Sequence, residues 1–450
     1  MSGSLRIVRL ANFITPTSGG LRTALRELGT GYRAAGHEPV LIVPGERSSD
    51  DVTAQGRVIT VPGHELPGTG GYRVLTGRRT VARLLERLAP DRLEVSDRTT
   101  LRWTGEWARQ ARVPAVMVSH ESADAVLRTW GVPPAAARYA ADRLNSRTAL
   151  AYSRVVCTTE WAAREFLRLG VTNLVRAPLG VDLERCHPAW YSAALRAGQV
   201  SGATTLVVMC SRLSPEKRPG RALDTVAELR RRGIGAQLVI AGDGPLRPRL
   251  TARARAEGLP VTFLGHVASR TELAAWQASA DVVLAPGPAE TFGLAALEAL
   301  ACGTPVVVSA SSALPAIVGP AGETAQDDGP AFADAVERVL ARPEPARRAA
   351  ARARAEGFGW PSAVAAFLAA HDAAPVARVA ADADAASSQP AHSIAAAQGE
   401  AAKPPHDMVL RTAEPVPPGD GAPLAEELSR PRVAEPSPDA SAGAGWAQAG

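Results

Sequence analysis

Two carboxylates and two cations at short spacings are the residues of this chain best suited to chemistry. Glu290 and Glu298 stand eight residues apart in Glu290-Thr-Phe-Gly-Leu-Ala-Ala-Leu-Glu298, and Arg212 and Lys217 stand in Ser-Arg212-Leu-Ser-Pro-Glu-Lys217-Arg-Pro. On a helix that begins near Phe292, eight residues is a little over two turns, so Glu290 lies at the mouth and Glu298 further along. Gly293 lets another group come close to the first helical N–H groups, the geometry of an anion site. Arg212 and Lys217 flank a strand-to-helix crevice, where a guanidinium and an ammonium can neutralise a diphosphate. Together these groups suit a ligand with hydroxyls on both sides of a phosphate, which describes a nucleotide sugar. A buried strand–helix–strand unit with two solvated glutamates is the plain alternative.

The elements that would hold these groups follow from hydrophobic runs and stop signals. Residues 281–285 read as a buried strand and 292–301 as a helix, with Gly303 and Pro305 as its stop before another buried strand. The chain opens in the same way: strand 5–11, loop 12–20, helix 21–35 stopped by Gly36, and strand 38–43. Gly19-Gly20 permits close backbone approach to a phosphate or sugar, or makes a simple tight turn, and Arg22 adds a cation on the first helical turn. The pair departs from Gly-x-Gly-x-x-Gly, which counts against a dinucleotide cofactor.

Strands at 92–95 and 114–119 end in Ser96-Asp97-Arg98 and His120-Glu121, and polar residues at the carboxyl ends of parallel strands face a ligand crevice. Strand 155–158 and helix 160–169 follow. Residues 173–182 read as the passage between domains, and 183–202 as linker. A second unit opens with strand 205–210 and continues through strands 237–241 and 261–264, the last ending in Gly265-His266-Val267. Helices are expected at 330–340 and from Trp360 to about residue 371. Residues 72–90 suggest an amphipathic helix, with Val74, Leu75, Val81, Leu84, Leu85 and Leu88 opposing five arginines. Such a basic face lies on anionic lipid or is merely solvated.

A chain of 450 residues has room for two domains and a tail, and its net charge, 50 − 45 = +5, is too small to argue for nucleic acid. Scattered cysteines at 157, 186, 210 and 302 suggest reduced core thiols. The N-terminus passes straight into a strand without an apolar leader, and no run approaches the length of a membrane span. A cytoplasmic protein is expected, either soluble or peripheral at the inner face of the plasma membrane. From residue 373 to 450 the composition turns to alanine, proline, serine and glycine, which reads as a disordered tail. Asp382-x-Asp384 within it has metal-binding spacing by coincidence.

Glu290-x7-Glu298 followed by Gly303-Thr-Pro-Val-Val resembles the signature of glycosyltransferase family 4, and Pro178-Leu-Gly-Val-Asp182 resembles that family's passage between domains. The resemblance implies an α/β, GT-B fold: two Rossmann-like doubly wound parallel-sheet domains facing a cleft. It places an acceptor-binding domain at 1–190 and a nucleotide-sugar-binding domain at 203–356, with a helix at 357–372 crossing back. It also implies retaining hexosyl transfer, with closest likeness to lipid-directed mannosyltransferases that use GDP-mannose. A UDP-sugar donor on another acceptor is the alternative within the fold.

By the same resemblance His120, Glu290, Arg212 and Lys217 carry the chemistry. Gly19, Gly20, Arg22, Arg212, Lys217, His266, Val267, Thr291, Phe292, Gly293, Leu294 and Glu298 bind the donor, with Glu298 on the ribose. Asp97 and Arg98 face the acceptor. The expected partners are a nucleotide sugar, a lipid or glycoside acceptor and an anionic membrane surface, with no nucleic acid, no resident cofactor and no metal. The competing class is a nicotinamide-dependent oxidoreductase, with Gly19-Gly20 as phosphate loop and Glu46 as ribose carboxylate.

Overall fold

The computed structural model describes residues 3–14, 19–66, 71–129, 131–200 and 204–376. Of the expected disordered tail only 373–376 are among them, and Asp382 and Asp384 lie outside.

The first sheet is built from β1 (Arg6–Leu10), β2 (Glu38–Gly45), β3 (Ser49–Thr53) and β4 (Gly56–Pro62), then β7 (Arg92–Val95), β8 (Ala115–Ser119), β9 (Arg154–Cys157) and β10 (Leu174–Arg176). A small separate hairpin, β5 (His64–Glu65) with β6 (Arg73–Val74), lies between them in the chain. The strand order is β10-β9-β8-β7-β1-β2-β4-β3. Its strands run parallel except β3, which pairs antiparallel with β4. Helices α1 (Gly20–Ala34), α2 (Arg78–Leu88), α3 (Trp103–Gln110), α4 (Ala123–Thr129), α5 (Pro134–Ala151) and α6 (Glu160–Leu167) connect them, and α7 (Ala193–Ala197) leads out.

The second sheet is parallel, in the order β13-β12-β11-β14-β15-β16. Its strands are β11 (Thr205–Cys210), β12 (Ala236–Ala241), β13 (Val261–Gly265), β14 (Val282–Ala285), β15 (Val306–Ser309) and β16 (Glu323–Ala325). Around it lie α8 (Pro219–Arg231), α9 (Arg247–Ala256), α10 (Arg270–Ser279), α11 (Leu294–Ala301), α12 (Leu314–Val318), α13 (Gly329–Leu340) and α14 (Glu344–Glu356). Strands covered by helices on both faces read as continuous apolar runs, as in Leu206-Val-Val-Met209, all fully buried.

Helix α15 (Trp360–Ala370) returns to the first sheet and packs on α1 and β9. Val181 donates its N–H to Phe358 O at 2.7 Å, and Val181 and Gly359 form a parallel bridge. Gly180 is needed here, because a Cβ would fall 2.6 Å from Trp360 Cα. Beyond α15, His371 Nε2 lies 3.1 Å from Glu94 Oε2, and Glu94 Oε1 accepts from Arg9 Nε at 2.7 Å. Tyr32 Oη donates to the same carboxylate at 2.7 Å. Glu94 and Arg9 are each 1% exposed. Burial works against ionising Glu94, yet Arg9, His371 and Tyr32 outweigh it and hold the carboxyl well below the usual range.

Three sequence expectations change. The helix expected over 72–90 is shorter: Arg73 and Val74 pair with Glu65 and His64 in the small hairpin, and α2 starts after Gly77. Val81, Leu84, Leu85 and Leu88 of α2 face the core, leaving Arg78, Arg79, Arg83 and Arg87 exposed. Of the linker expected over 183–202, the described residues 183–200 are held to the second sheet's lobe. Ser192 N–H donates to Ser279 Oγ at 2.9 Å, Arg196 pairs with Asp281 at 2.8 Å, and Arg352 Nη1 donates to Leu183 O and Cys186 O. The hairpin of β3 and β4 had no sequence counterpart; its turn closes at Gly56, with φ +104°.

Candidate active site

The Pro215–Lys217 turn leads through Arg218, in the left-handed region, to Pro219 at the first position of α8. The loop after β14 lies directly on it: a Cβ at Gly287 would sit 3.1 Å from Glu216 O, and Arg221 Nη1 donates to Pro286 O at 2.6 Å. That seating brings Lys217 and Glu290, 73 positions apart, into an ion pair in which Nζ donates to Oε1 at 2.6 Å. Arg212 donates through Nη2 to Glu216 Oε1 at 2.8 Å and through Nε to Ser214 Oγ at 3.3 Å.

Helix α11 starts at Gly293, which has φ +66° and no side-chain cap. Its first N–H groups and the positive end of its dipole are thus open to an anion. The start of α1 comes close from the opposite lobe, since a Cβ at Gly20 would lie 3.9 Å from Leu294 Cδ1. The crevice therefore brings together two helix N-termini with Lys217 and Glu290 alongside. Gly293→Ala is expected to cost about 1–3 kcal/mol, from the left-handed backbone and from a Cβ landing 2.3 Å from buried Leu314 Cδ2. Urea unfolding would check it, and an unchanged midpoint would contradict the stated geometry.

Glu298 sits deeper, 3.5 Å from Arg270 Nη1, and Arg270 Nη2 also donates to Thr23 Oγ1 of α1 at 3.2 Å. Burial pushes the Glu298 carboxyl up, with Arg270 opposing. The space left among Thr23, Asp182, Arg185, Arg270 and Glu298 is ≈ 20 Å³, room for about one water. Arg270 stands against the Glu298 carboxylate at the edge of this space. Nothing in the sequence marked Arg270, which follows the N-cap Ser269 and belongs to no motif.

His120, at the end of β8, is half-buried, with Nε2 3.1 Å from Ser96 Oγ. Burial lowers its pKa to about 4, with Arg9 and Arg98 adding to the effect and Glu94 opposing it. It is therefore neutral at physiological pH and exchanges hydrogen bonds, not charge. The unfolded chain takes up this proton near pH 6.5, so the contribution of His120 to stability is present above that pH and is lost as pH falls toward about 4. An NMR titration of the ring is expected to show no inflection near pH 6.5.

The remaining expected residues divide. Gly19, Gly20 and Arg22 are exposed at the start of α1, and His266 and Val267 follow β13 beside the Gly242 turn, where Gly242 N–H donates to Gly265 O at 2.8 Å. Thr291 is half-buried, whereas the Phe292 side chain is 4% exposed and meets Phe358 edge-on at 6.5 Å. Its ring therefore belongs to the core, and only its backbone can serve a ligand.

Asp97 and Arg98 are buried and hydrogen-bonded within their own lobe. Asp97 accepts from Asn12 Nδ2, Thr99 N and Thr100 Oγ1 at 2.7–2.8 Å. Arg98 donates to Asn145 Oδ1 at 2.8 Å and to Glu121 O, and stacks on Phe166. Both are about 5% exposed, and their hydrogen-bonding capacity holds loops together. Glu46 is 79% exposed and paired with Arg73. Among the described residues no three His, Cys, Asp or Glu side chains converge as a metal site.

The profile described as "Glycosyl transferase 4-like domain" matches residues 19–180, and "Glycosyl transferases group 1" matches 204–342. A GDP-mannose-dependent alpha-(1-6)-phosphatidylinositol dimannoside mannosyltransferase of Mycobacterium tuberculosis is 50% identical over 81% of this chain and 95% of its own. The chain belongs to glycosyltransferase family 4. An MMP alpha-(1->4)-mannosyltransferase of Mycolicibacterium hassiacum is 33% identical over 57% of this glycosyltransferase and 62% of its own length. Among solved structures, sucrose-phosphate synthase from Thermosynechococcus elongatus superposes with a TM-score of 0.65 at 22% identity, over 81% of this chain and 97% of its own. That likeness establishes the GT-B fold of the glycosyltransferase.

Proposed function

We propose that this glycosyltransferase moves mannose from GDP-mannose to a lipid-linked acceptor, with retention at the anomeric carbon. The observation that carries the chemistry is the meeting of Lys217, Glu290 and the uncapped start of α11 in one crevice. The choice of mannose and of a lipid acceptor rests on the relative that is half identical along nearly its whole length.

As the glycosidic bond breaks, charge gathers on the departing diphosphate. Arg212, Lys217 and the N–H groups at 291–294 stabilise it, donors already aimed at the developing charge. Glu290 holds the Lys217 ammonium in place and accepts from sugar hydroxyls. Glu298, once Arg270 has moved, accepts from ribose hydroxyls, while His266 and Val267 border the base. His120, neutral, hydrogen-bonds the transferred sugar. With side chains and a helix N-terminus supplying the positive charge, activity is expected to survive EDTA. The leaving phosphate serves as base on the face it departs from, and a trapped glycosyl-enzyme adduct would refute that step.

The basic face of α2 suits an anionic bilayer at the cytoplasmic side, and no helix among the described residues is long and apolar enough to cross one. Because α2 keeps its apolar side in the core, the attraction is electrostatic and should weaken as salt rises.

Thermal stabilisation by GDP, UDP, ADP, their sugars and NAD, without metal, tests the donor. At a hundred times the dissociation constant a ligand adds about 2.7 kcal/mol. A shift with GDP-mannose that is lost in Glu298→Ala supports the reading. A shift with UDP-sugars alone replaces the donor, and a shift with NAD alone overturns it.

A further inference from the structure

Arg212 has a neighbour across the crevice that donor binding does not explain. The Tyr72 ring, carried by the first sheet's lobe, lies beneath the Arg212 guanidinium at 5.3 Å from Cζ to centroid. Tyr72 is firmly held: its carbonyl accepts from Leu66 N–H at 2.8 Å, and the next residue's carbonyl accepts from Phe13 N–H at 3.1 Å. The Phe13 ring meets Tyr72 edge-on at 6.5 Å and 74°. Phe13 itself has φ +59°, a conformation uncommon for a bulky residue. On its own lobe Arg212 is gripped along the guanidinium edge by Glu216 and Ser214, and Ser214 Oγ donates to the same Glu216 oxygen at 2.6 Å. Edge contacts fix where a guanidinium sits, and a ring against its face fixes how it is tilted.

We propose that Tyr72 is a positioning residue: delivered from the opposite lobe, its ring holds Arg212 in the plane that meets the donor's diphosphate. An arginine already restrained loses less rotamer freedom on binding an anion, so diphosphate affinity depends on a residue of the lobe that does not carry the cation. The inference rests on Arg212 being a diphosphate cation.

The test is calorimetric titration of the full chain with GDP and with UDP, together with steady-state kinetics. Tyr72→Leu is expected to weaken nucleotide binding about fivefold, the size of a partly desolvated cation–π contact, while Tyr72→Phe, which keeps the ring and loses only the phenol's interaction with Arg212, loses less. Donor KM should rise with acceptor KM unchanged. In an Arg212→Ala background Tyr72→Leu should add nothing. Equal losses in the Phe and Leu variants, additive losses in the double variant, or a rise in acceptor KM alone would each overturn the proposal, the last by making the ring an acceptor platform. Wild-type protein that binds neither nucleotide removes Arg212 from the diphosphate, and the proposed function falls with it.

Discussion

Lys217→Ala should lower kcat by about two to three orders of magnitude, the usual cost of removing one preorganised donor from a developing charge. Lys217 and Glu290 are bonded at 2.6 Å, with the two side chains 25% and 19% exposed. On the proposed function, loss of the ammonium withdraws charge from the leaving group and also frees the carboxylate that it anchors. The pair therefore acts as a unit. Glu290→Gln should be comparably slow, and the double variant little worse than either single one. Steady-state rates on purified variants decide the matter: losses that multiply in the double variant would show two independent groups, and a loss below about tenfold would remove Lys217 from the chemistry.

The largest expected effect on stability lies away from the crevice. Glu94→Ala leaves Arg9 charged, 1% exposed and without its carboxylate, a situation that costs about 3–5 kcal/mol. It also strips Tyr32 and His371 of their shared acceptor, so α15 loses a contact with the first sheet. Replacing Arg9 and Glu94 together by apolar residues of similar volume should be far milder, because no buried charge is orphaned. The pH dependence has a definite sign. Glu94 titrates below its unfolded value, so its contribution is complete above the ordinary carboxylate pKa of about 4 and is lost as pH falls below it. Urea midpoints at neutral and acid pH would measure both effects, and a wild-type midpoint in the single variant would refute the account.

Where the chain is buried on both faces, its sequence announces the structure. The runs that became β11, β14 and β15 are largely apolar, short and bounded by stops, and Gly293 and Gly303 bracket α11 as positions with positive φ require. Glu290 and Lys217 were each visible in a motif, but their bond spans 73 positions and depends on how the loop after β14 is seated. Tyr72 was hidden by a false period: Arg73 and Val74 extend the amphipathic pattern of α2, yet pairing with His64 and Glu65 overrides it. Asp97 and Arg98 stand at a strand end, where ligands are usually met, and their bonds to Asn12 and Asn145 depend on tertiary positions that the sequence does not show. Residues 183–202 lack periodicity because the 3-10 turn at Pro188–Trp190 and the five residues of α7 are too short to display one.

The paired passages at Val181 and Gly359 bear on how the crevice works. The chain leaves the first lobe beside the point where it re-enters, and the two backbones are bonded to each other. Two adjacent attachments act like the pins of a door. Rotation about the line through it would keep that bond, whereas sliding of one lobe along the other would strain it, so a hinge at this point is the expected mode of opening. Arg270 with Thr23, and Arg212 with Tyr72, lie on the moving side of that axis. Both contacts would have to part for the lobes to separate, and over a bound donor the proposed roles require Arg212 to regain Tyr72 while Arg270 stays off Glu298.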